Sequence, residues 1–508
     1  MIYQVYPRSF HDTSGTGSGD LKGITQNLDH IASLGVDALW LSPVYVSPLC
    51  DGGYDVADHC DIDPLFGTLT DFDALVARAH DLGLRVMMDQ VFNHTSDTHD
   101  WYAASCARED PFTDFYVWAD PAPDGGPPSN WIGFFGLSAW RWVPARRQYC
   151  LHQFLPCQPC LNHYCDALRD RLQGIITFWR DRGVDGFRFD AVTAFFHDKQ
   201  FRDNPPDDRD AVPSNPYSCQ KHEYDMMPND CAAFSADLRD WAGPDRFLLG
   251  EINSGDNAIE LAGKFARPDR LDATYTADLP ESGVSGIVLA DILKQNAGQG
   301  GLAWWLSSHD QPRHISRAGD GTAHDARMFA GLLLALPGPV LLYQGEEVGQ
   351  PQADIPLHAL HDPFDRMYWP DVPGRDGARA PMAWDINAHN MGFTQGTPWL
   401  PTVQPEGGGV AQQDEDEDSV LAFYREAIAL RRDLGLADAR IEVLEAREHW
   451  VYAKVSPEEG AVCHVVVNMQ ADAQSIPAGV PDTPPLLASS ALQSCQIPPR
   501  SAVWWFED

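Results

Sequence analysis

Through the first 345 residues two hydrophobic rhythms take turns along the chain. Short β-branched or apolar runs predict strands at 2–6, 36–41, 85–91, 184–190, 246–251, 302–308 and 339–343. Between them, 21–34, 71–82, 166–182 and 324–336 carry apolar residues at helical spacing. Such alternation predicts parallel strands joined by right-handed crossovers, and its length suits an α/β fold, a (β/α)8 TIM barrel. A doubly wound sheet is the structural alternative, because periodicity alone cannot close a barrel.

Two stretches break the rhythm. From Asn93 to about Asp166 the chain is rich in Trp, Pro, Gly and Phe with few helical signals. A structureless loop of that size does not suit a compact domain, so an inserted subdomain on the third strand–helix connection is expected. After a predicted helix at 419–434, alternating runs at 451–455, 462–468 and 501–505 predict a C-terminal antiparallel β domain. The expected division is a barrel at 1–94 and 166–435, the insertion at 95–165, and the β domain at 436–508.

Charge narrows the partners. Seventy-three acidic against thirty-six basic residues give a formal −37, which disfavours nucleic acid and anionic membranes. No run of eighteen apolar residues suggests a membrane span, and the N-terminal residues lack a secretory pattern, so a cytoplasmic monomer or homodimer is expected. Eleven cysteines, an odd number, cannot all pair internally and fit a reducing compartment.

In a barrel, chemistry gathers at the carboxyl ends of the strands. Four strand ends carry candidates: Asn93-His94, Arg188-Phe189-Asp190, Gly250-Glu251 and His309-Asp310. An acid after a strand often only caps the next helix, but three acids converging on one mouth weaken that alternative. Arg188, two residues before Asp190, shares its strand face and is expected to keep Asp190 ionised. Glu251 ends an apolar strand, where burial is expected to raise its pKa and suit it to donating a proton. Glycoside cleavage needs such a pair.

At these residues the sequence resembles the α-amylase-type glycoside hydrolases (glycoside hydrolase family 13), in particular the bacterial α-glucosidase and oligo-1,6-glucosidase branch. The resemblance rests on Asp89-Gln90-Val91-Phe92-Asn93-His94, Gly186-Phe187-Arg188-Phe189-Asp190, Gly250-Glu251-Ile252 and His309-Asp310-Gln311-Pro312-Arg313. Gln153-Phe154-Leu155-Pro156 and 374–384 (Gly-Arg-Asp-Gly-Ala-Arg-Ala-Pro-Met-Ala-Trp) extend it over nearly the whole chain in the family's order. It implies a retaining α-glucosidase: Asp190 as nucleophile, Glu251 as acid/base, and Asp310 steadying an oxocarbenium-like transition state. The two reacting carboxyls would then lie roughly 5–5.5 Å apart. It further implies that Tyr54 stacks on the sugar and that Asp51 holds its far hydroxyls. His94, Arg188 and His309 would donate to hydroxyls or carboxylates. Arg375, with Arg379 nearby, would pair with Asp51 or a hydroxyl and close a blind pocket, while Phe135 and Phe154 line its wall. The bland alternatives are a surface-loop role for Arg375 and ordinary packing for the two phenylalanines.

Some residues depart from the family's pattern. Ser308 stands where Asn is common, which is expected to loosen His309. The first loop, Asp12-Thr-Ser-Gly-Thr-Gly-Ser-Gly-Asp20, occupies the place of a calcium motif, with hydroxyls where the family has more Asp and Asn. Asp12 and Asp20 are the candidate ligands for a calcium or magnesium ion there, and an ordinary Gly/Ser turn is the alternative. Otherwise no cofactor is required. Cys150, Cys157, Cys160 and Cys165, with His152 and His163, look like a zinc site out of context. In context Cys157 and Cys160 replace acids, which favours free buried thiols over zinc or a disulfide.

Ala191, after the nucleophile, tilts the linkage toward α-1,4 (maltose- or sucrose-type) over α-1,6. The run from His197 to Pro205 resembles a loop of α-glucosidases that also transfer glucose to alcohols and phenols. The competing readings are a sucrose-type transglucosidase or isomerase, a non-catalytic barrel of the same superfamily, and a zinc-binding interaction protein.

Overall fold

The computed structural model describes residues 1–209, 213–252, 257–297, 300–372, 374–492 and 496–507. Seven strands pair side by side in the order Ala273–Tyr275, Phe247–Glu251, Gly186–Phe189, Arg85–Gln90, Ala38–Leu41, Ile2–Val5 and Leu341–Tyr343. All these pairings are parallel. The ring closes through residues 302–304, where Leu302 bridges Thr274 and Trp304 bridges Val340, both in parallel. The fold is therefore a (β/α)8 barrel. Its strands are buried on both faces, which is why they read as unbroken apolar runs. Ile2, Trp40, Met87, Leu249, Tyr275 and Trp305 fill the interior. Their neighbours Tyr3, Leu39, Phe187 and Leu248 join the larger core packed against the helices.

Several expected elements differ. The helix expected at 21–34 is two, Leu21–Gln26 and Leu28–Ser33. Asn27 breaks it: its side chain donates back to the Gly23 carbonyl at 2.8 Å, an alternative to helical pairing. The strand expected at 302–308 pairs only through single bridges. The sixth strand, Ala273–Tyr275, went unanticipated because three residues show no periodicity. The insertion does contain a helix, Asp100–Ala107, whose apolar residues form no single face; His99 Nδ1 caps it by accepting from Trp101 N at 3.0 Å.

Within the insertion Trp118–Ala119, Gln148–Leu151 and Trp140–Val143 make a three-stranded antiparallel sheet. It joins the barrel mouth where His94 bridges Cys160. The C-terminal sheet has five antiparallel strands, Arg440–Arg447, Trp450–Ser456, Val462–Asn468, Ser501–Glu507 and Leu487–Ala488. It sits on the helix Ala323–Leu333, where Trp504 Nε1 donates to the Gly331 carbonyl at 3.0 Å. A Cβ at Gly331 would lie 2.5 Å from that of Ala502, so only glycine permits this contact.

Candidate active site

The acids named from strand ends do converge. Asp190 follows the strand Gly186–Phe189 and Glu251 ends the neighbouring strand Phe247–Glu251. Arg188, fully buried, reaches both: Nη1 lies 2.8 Å from Asp190 Oδ1, and Nη2 lies 2.7 Å from Glu251 Oε2. Its Nη1 also donates to Asp89 Oδ1 at 2.8 Å, and its Nε and Nη2 donate to Tyr275 Oη at 3.0 and 2.8 Å. One guanidinium thus serves three carboxylates. Asp89 further accepts from Tyr54 Oη at 2.8 Å and Trp40 Nε1 at 3.2 Å. After Asp190 the backbone turns sharply. Ala191 takes a left-handed conformation (φ 44°) that costs a non-glycine residue about 1 kcal/mol or more, and its N–H donates to Glu251 Oε2 at 3.2 Å.

A second cluster faces the first. His309 Nε2 lies 3.0 Å from Asp310 Oδ2. Arg379 Nη2 donates to Asp310 Oδ1 at 3.0 Å, and Arg375 Nη1 to the same oxygen at 3.3 Å. Arg375 Nη2 reaches Asp51 Oδ1 and Asp362 Oδ1 at 2.5 Å each. Asp51 and Tyr54 stand on a tight turn whose Gly52 (φ 60°) has no room for a side chain, because a Cβ would meet Arg379 Nη1 and Tyr6 Oη at 2.8 Å. The Tyr54 ring stacks on His309 with centroids 5.0 Å apart. Ser308 does not loosen His309: Gln4 Nε2 holds its Nδ1 at 2.8 Å, Arg379 Nε donates to its carbonyl at 2.8 Å, and Tyr54 covers its face.

His94 lines the same mouth. Its Nδ1 lies 2.9 Å from Asn93 Oδ1, and its Nε2 lies 3.0 Å from Gln158 Nε2, which also donates to Asp51 Oδ2 at 2.9 Å. Burial lowers its pKa to about 4, and its Nε2 also lies 2.9 Å from the Tyr54 carbonyl. As placed, it organises Gln158 and Asp51. Phe135 and Phe154 both line the cavity, a space of about 1580 Å³ that Asp51, Tyr54, His94, Asp190, Glu251, Asp310 and Arg375 share. Phe154 stacks on Phe134 at 4.6 Å, and the Arg375 guanidinium lies 5.6 Å from the Phe135 ring centre.

The electrostatics correct one expectation. Burial pushes the Asp190 carboxyl well up from its ordinary value; Arg188 pulls it down, while the negative charges of Glu251, Asp89 and Asp310 add to the rise. Arg188 does not hold Asp190 low, because burial outweighs its charge and the neighbouring acids add to the rise. The Asp190 side chain is 10% exposed and that of Glu251 25%. At Asp310 burial again pushes upward, but His309 and then Arg375 and Arg379 outweigh it and hold the carboxyl well below its usual value.

Sequence reasoning missed Tyr275, Asp362 and Gln158, and quoted Asp89 without a role. Asp89 stood in the segment before His94, and its position at a strand end was the available signal.

In the first loop the two acids face inward to N–H and O–H donors. Asp12 accepts from the Ser14, Gly15 and Gly17 amides and from the hydroxyls of Ser14 and Thr394, at 2.5–2.9 Å. Asp20 accepts from Thr13 and from Gly23 N. Two carboxylates so engaged, with only hydroxyls between them, are a poor fit to a divalent cation. Among the described residues no three His, Cys, Asp or Glu side chains group as metal ligands. The ten described cysteines are free thiols; Cys150 and Cys160 are buried, whereas Cys157 and Cys165 are only half-buried. Cys495 lies outside the described residues. His163 Nε2 turns to the Phe92 carbonyl at 2.8 Å, away from any cysteine.

A barrel with paired carboxylates at adjoining strand ends is the architecture of a glycoside hydrolase. The chain matches the α-amylase catalytic-domain family over residues 4–284 and 287–437, and it belongs to that family. It is 44% identical to a probable alpha-glucosidase of Rhizobium meliloti (strain 1021), over 88% of this chain and 84% of that protein. It is 34% identical to an oligo-1,6-glucosidase of Heyndrickxia coagulans, over 92% and 91% of the two chains. The crystal structure of an alpha-glucosyl transfer enzyme, XgtA, is similar over 100% of this chain and 98% of that one, with TM-score 0.93 and 37% identity. The chain is thus an enzyme of glucosidase type acting on carbohydrate. Among the described residues no helix is long and apolar enough to cross a membrane.

Proposed function

We propose that the protein is a retaining α-glucosidase that removes terminal glucose from short oligosaccharides. The observation carrying this reading is the single Arg188 fork that ties Asp190 and Glu251 together across one mouth, opposite Asp310. A guanidinium shared by the two carboxyls keeps them at one mouth, which supports retention over inversion.

Asp190 attacks the anomeric carbon as Glu251 protonates the departing oxygen, giving a glycosyl ester on Asp190. Glu251 then takes a proton from water or an alcohol, which attacks the same carbon and releases Asp190. The oxocarbenium character between these steps develops among Asp190, Glu251 and Asp310, a negative surround fixed before substrate enters. Arg375, locked to Asp51 and Asp362, closes the far end of the site, so a chain terminus fits and an internal sugar does not. Tyr54 covers one sugar face. Ala191 favours α-1,4 over α-1,6 linkages, and the likeness to a glucosyl transfer enzyme supports transfer to alcohols beside hydrolysis. A cytoplasmic monomer or homodimer working without a bound ion completes the proposal.

Turnover of 4-nitrophenyl α-glucoside tests it. Asp190→Ala is expected to lower kcat on the order of 10⁴-fold, and Glu251→Gln by about 10²–10⁴-fold, with unchanged thermal melts. Near-normal turnover in either variant overturns the assignment. An isomer formed from sucrose in place of glucose and fructose moves the reading to a transglucosidase.

A further inference from the structure

Three segments that follow different barrel strands meet at one side chain, Tyr368. Its Oη lies 3.0 Å from the Phe135 carbonyl oxygen in the insertion and 3.1 Å from Asn215 Oδ1 in the segment after the fourth strand. One phenol proton is thus shared between two acceptors. Asn215 completes the knot: its Nδ2 donates to the Phe134 carbonyl at 2.9 Å, and its Oδ1 accepts from Tyr217 N at 3.0 Å. Phe134 and Tyr217 stack beside it with ring centroids 4.5 Å apart. Gly136 makes room for the hydroxyl. At its φ of 76° a Cβ would collide with Tyr368 Oη and come within 2.8 Å of Asn215 Oδ1 and Pro216 Cδ.

Tyr368 ends the six-residue helix Pro363–Tyr368, and that helix begins beside Arg375. Asp362 caps it by accepting from Asp365 N at 3.1 Å, while its other oxygen accepts from Arg375 Nε at 2.9 Å. Phe364, in the first turn, meets the Phe135 ring edge-on at 6.0 Å, and the Phe135 ring faces the Arg375 guanidinium at 5.6 Å. Arg375 is therefore fixed at one end of the helix, and the ring beside it is fixed from the other. We propose that Tyr368 is a positioning residue whose hydroxyl clasps the three segments and holds Phe135 at the Arg375 end of the cavity, setting affinity for the terminal glucose. Phe135 and Phe364 form the cavity wall, so Tyr368 acts through them rather than on the sugar. A wall held in place before the sugar arrives spares the ordering cost of binding, so losing the clasp weakens binding more than it slows chemistry.

The inference rests on the proposed glucosidase reading. In the full chain, Tyr368→Phe keeps the ring and removes the hydroxyl. Initial rates are measured on 4-nitrophenyl α-glucoside and on maltose, which share the terminal glucose and differ in leaving group, beside thermal melts. The expected result is a KM raised about two- to tenfold, by the same factor on both substrates, with kcat less affected and the melt unchanged. Gly136→Ala, which forces the clasp open from the other side, raises KM in the same way. Asn215→Ala raises it too, and the double variant with Tyr368→Phe falls well short of the product of the single effects, because both act at one node. An unchanged KM in Tyr368→Phe, a rise on one substrate only, or effects that multiply in the double variant overturns the inference. A lowered melt with KM unmoved marks a merely structural tyrosine and overturns it as well. An active wild type with unmoved variants fails the inference alone, whereas a wild type inactive on every α-glucoside fails the glucosidase reading and takes the inference with it.

Discussion

Arg188 and Arg375 are both largely buried guanidiniums set among aspartates, yet they leave their neighbours in opposite states. Around Arg188 one cation faces Asp89, Asp190 and Glu251, and the Asp190 carboxyl is pushed up. Around Arg375 a second arginine and His309 share the work, and Asp310 and Asp362 are held down. Burial pushes carboxyls up in both places, so the number of cations per acid decides the outcome. The first cluster is short of positive charge, which suits the carbocation of the proposed mechanism; the second is balanced, which suits the neutral hydroxyls that mechanism places there.

Removing Arg188 should break the comparison most severely. Arg188→Met leaves three acids without their shared partner, and we expect a loss of about 3–5 kcal/mol in thermal or denaturant stability. Turnover should fall on the order of 10³-fold, with Arg188→Lys rescuing little because an ammonium cannot fork between two carboxylates. Retained activity in Arg188→Met would show that the acids position themselves. Arg375→Ala should act more mildly. Losing its charged hydrogen bonds should cost kcat/KM roughly 10–100-fold, mostly through KM, as initial rates on maltose would show. A fall in kcat alone would place Arg375 nearer the reacting bond.

The smallest effect is on pH dependence. In the proposed mechanism Asp190 must be ionised to attack, and its pKa is raised, so kcat/KM should fall as pH drops through a limb lying above the ordinary aspartate value. Asp310 is one of the negative charges adding to that rise. Asp310→Asn should therefore slow the enzyme and also move the acid limb of its residual activity to lower pH. A limb that stays put would assign it to another group.

The same comparison shows how far sequence could reach. Asp190, Glu251 and Asp310 were legible because strand ends in a barrel point to one mouth, and a motif fixes each end. Seven of the eight barrel strands were legible too, since doubly buried strands leave continuous apolar runs. The charge balance was not. Arg188 sits two residues from Asp190, but its third claimant, Asp89, arrives from another strand 99 positions away. Tyr275 was hidden because its strand is three residues long. Asp362 was hidden because it caps the short helix Pro363–Tyr368 while also holding Arg375. Asn27 split a helix through a side-chain bond that apolar spacing does not register.

The clasp between Trp504 and Gly331 joins residues 173 positions apart. The helix it covers, Ala323–Leu333, leads straight into the last barrel strand, Leu341–Tyr343, which closes against the first. During synthesis that helix emerges long before the strand that shelters it. Until then its outer face is held by the barrel alone, so the nascent enzyme passes through an interval with an uncovered apolar flank. A truncation before Ser501 would make that interval permanent, trading a transient stage of folding for a lasting tendency to self-associate.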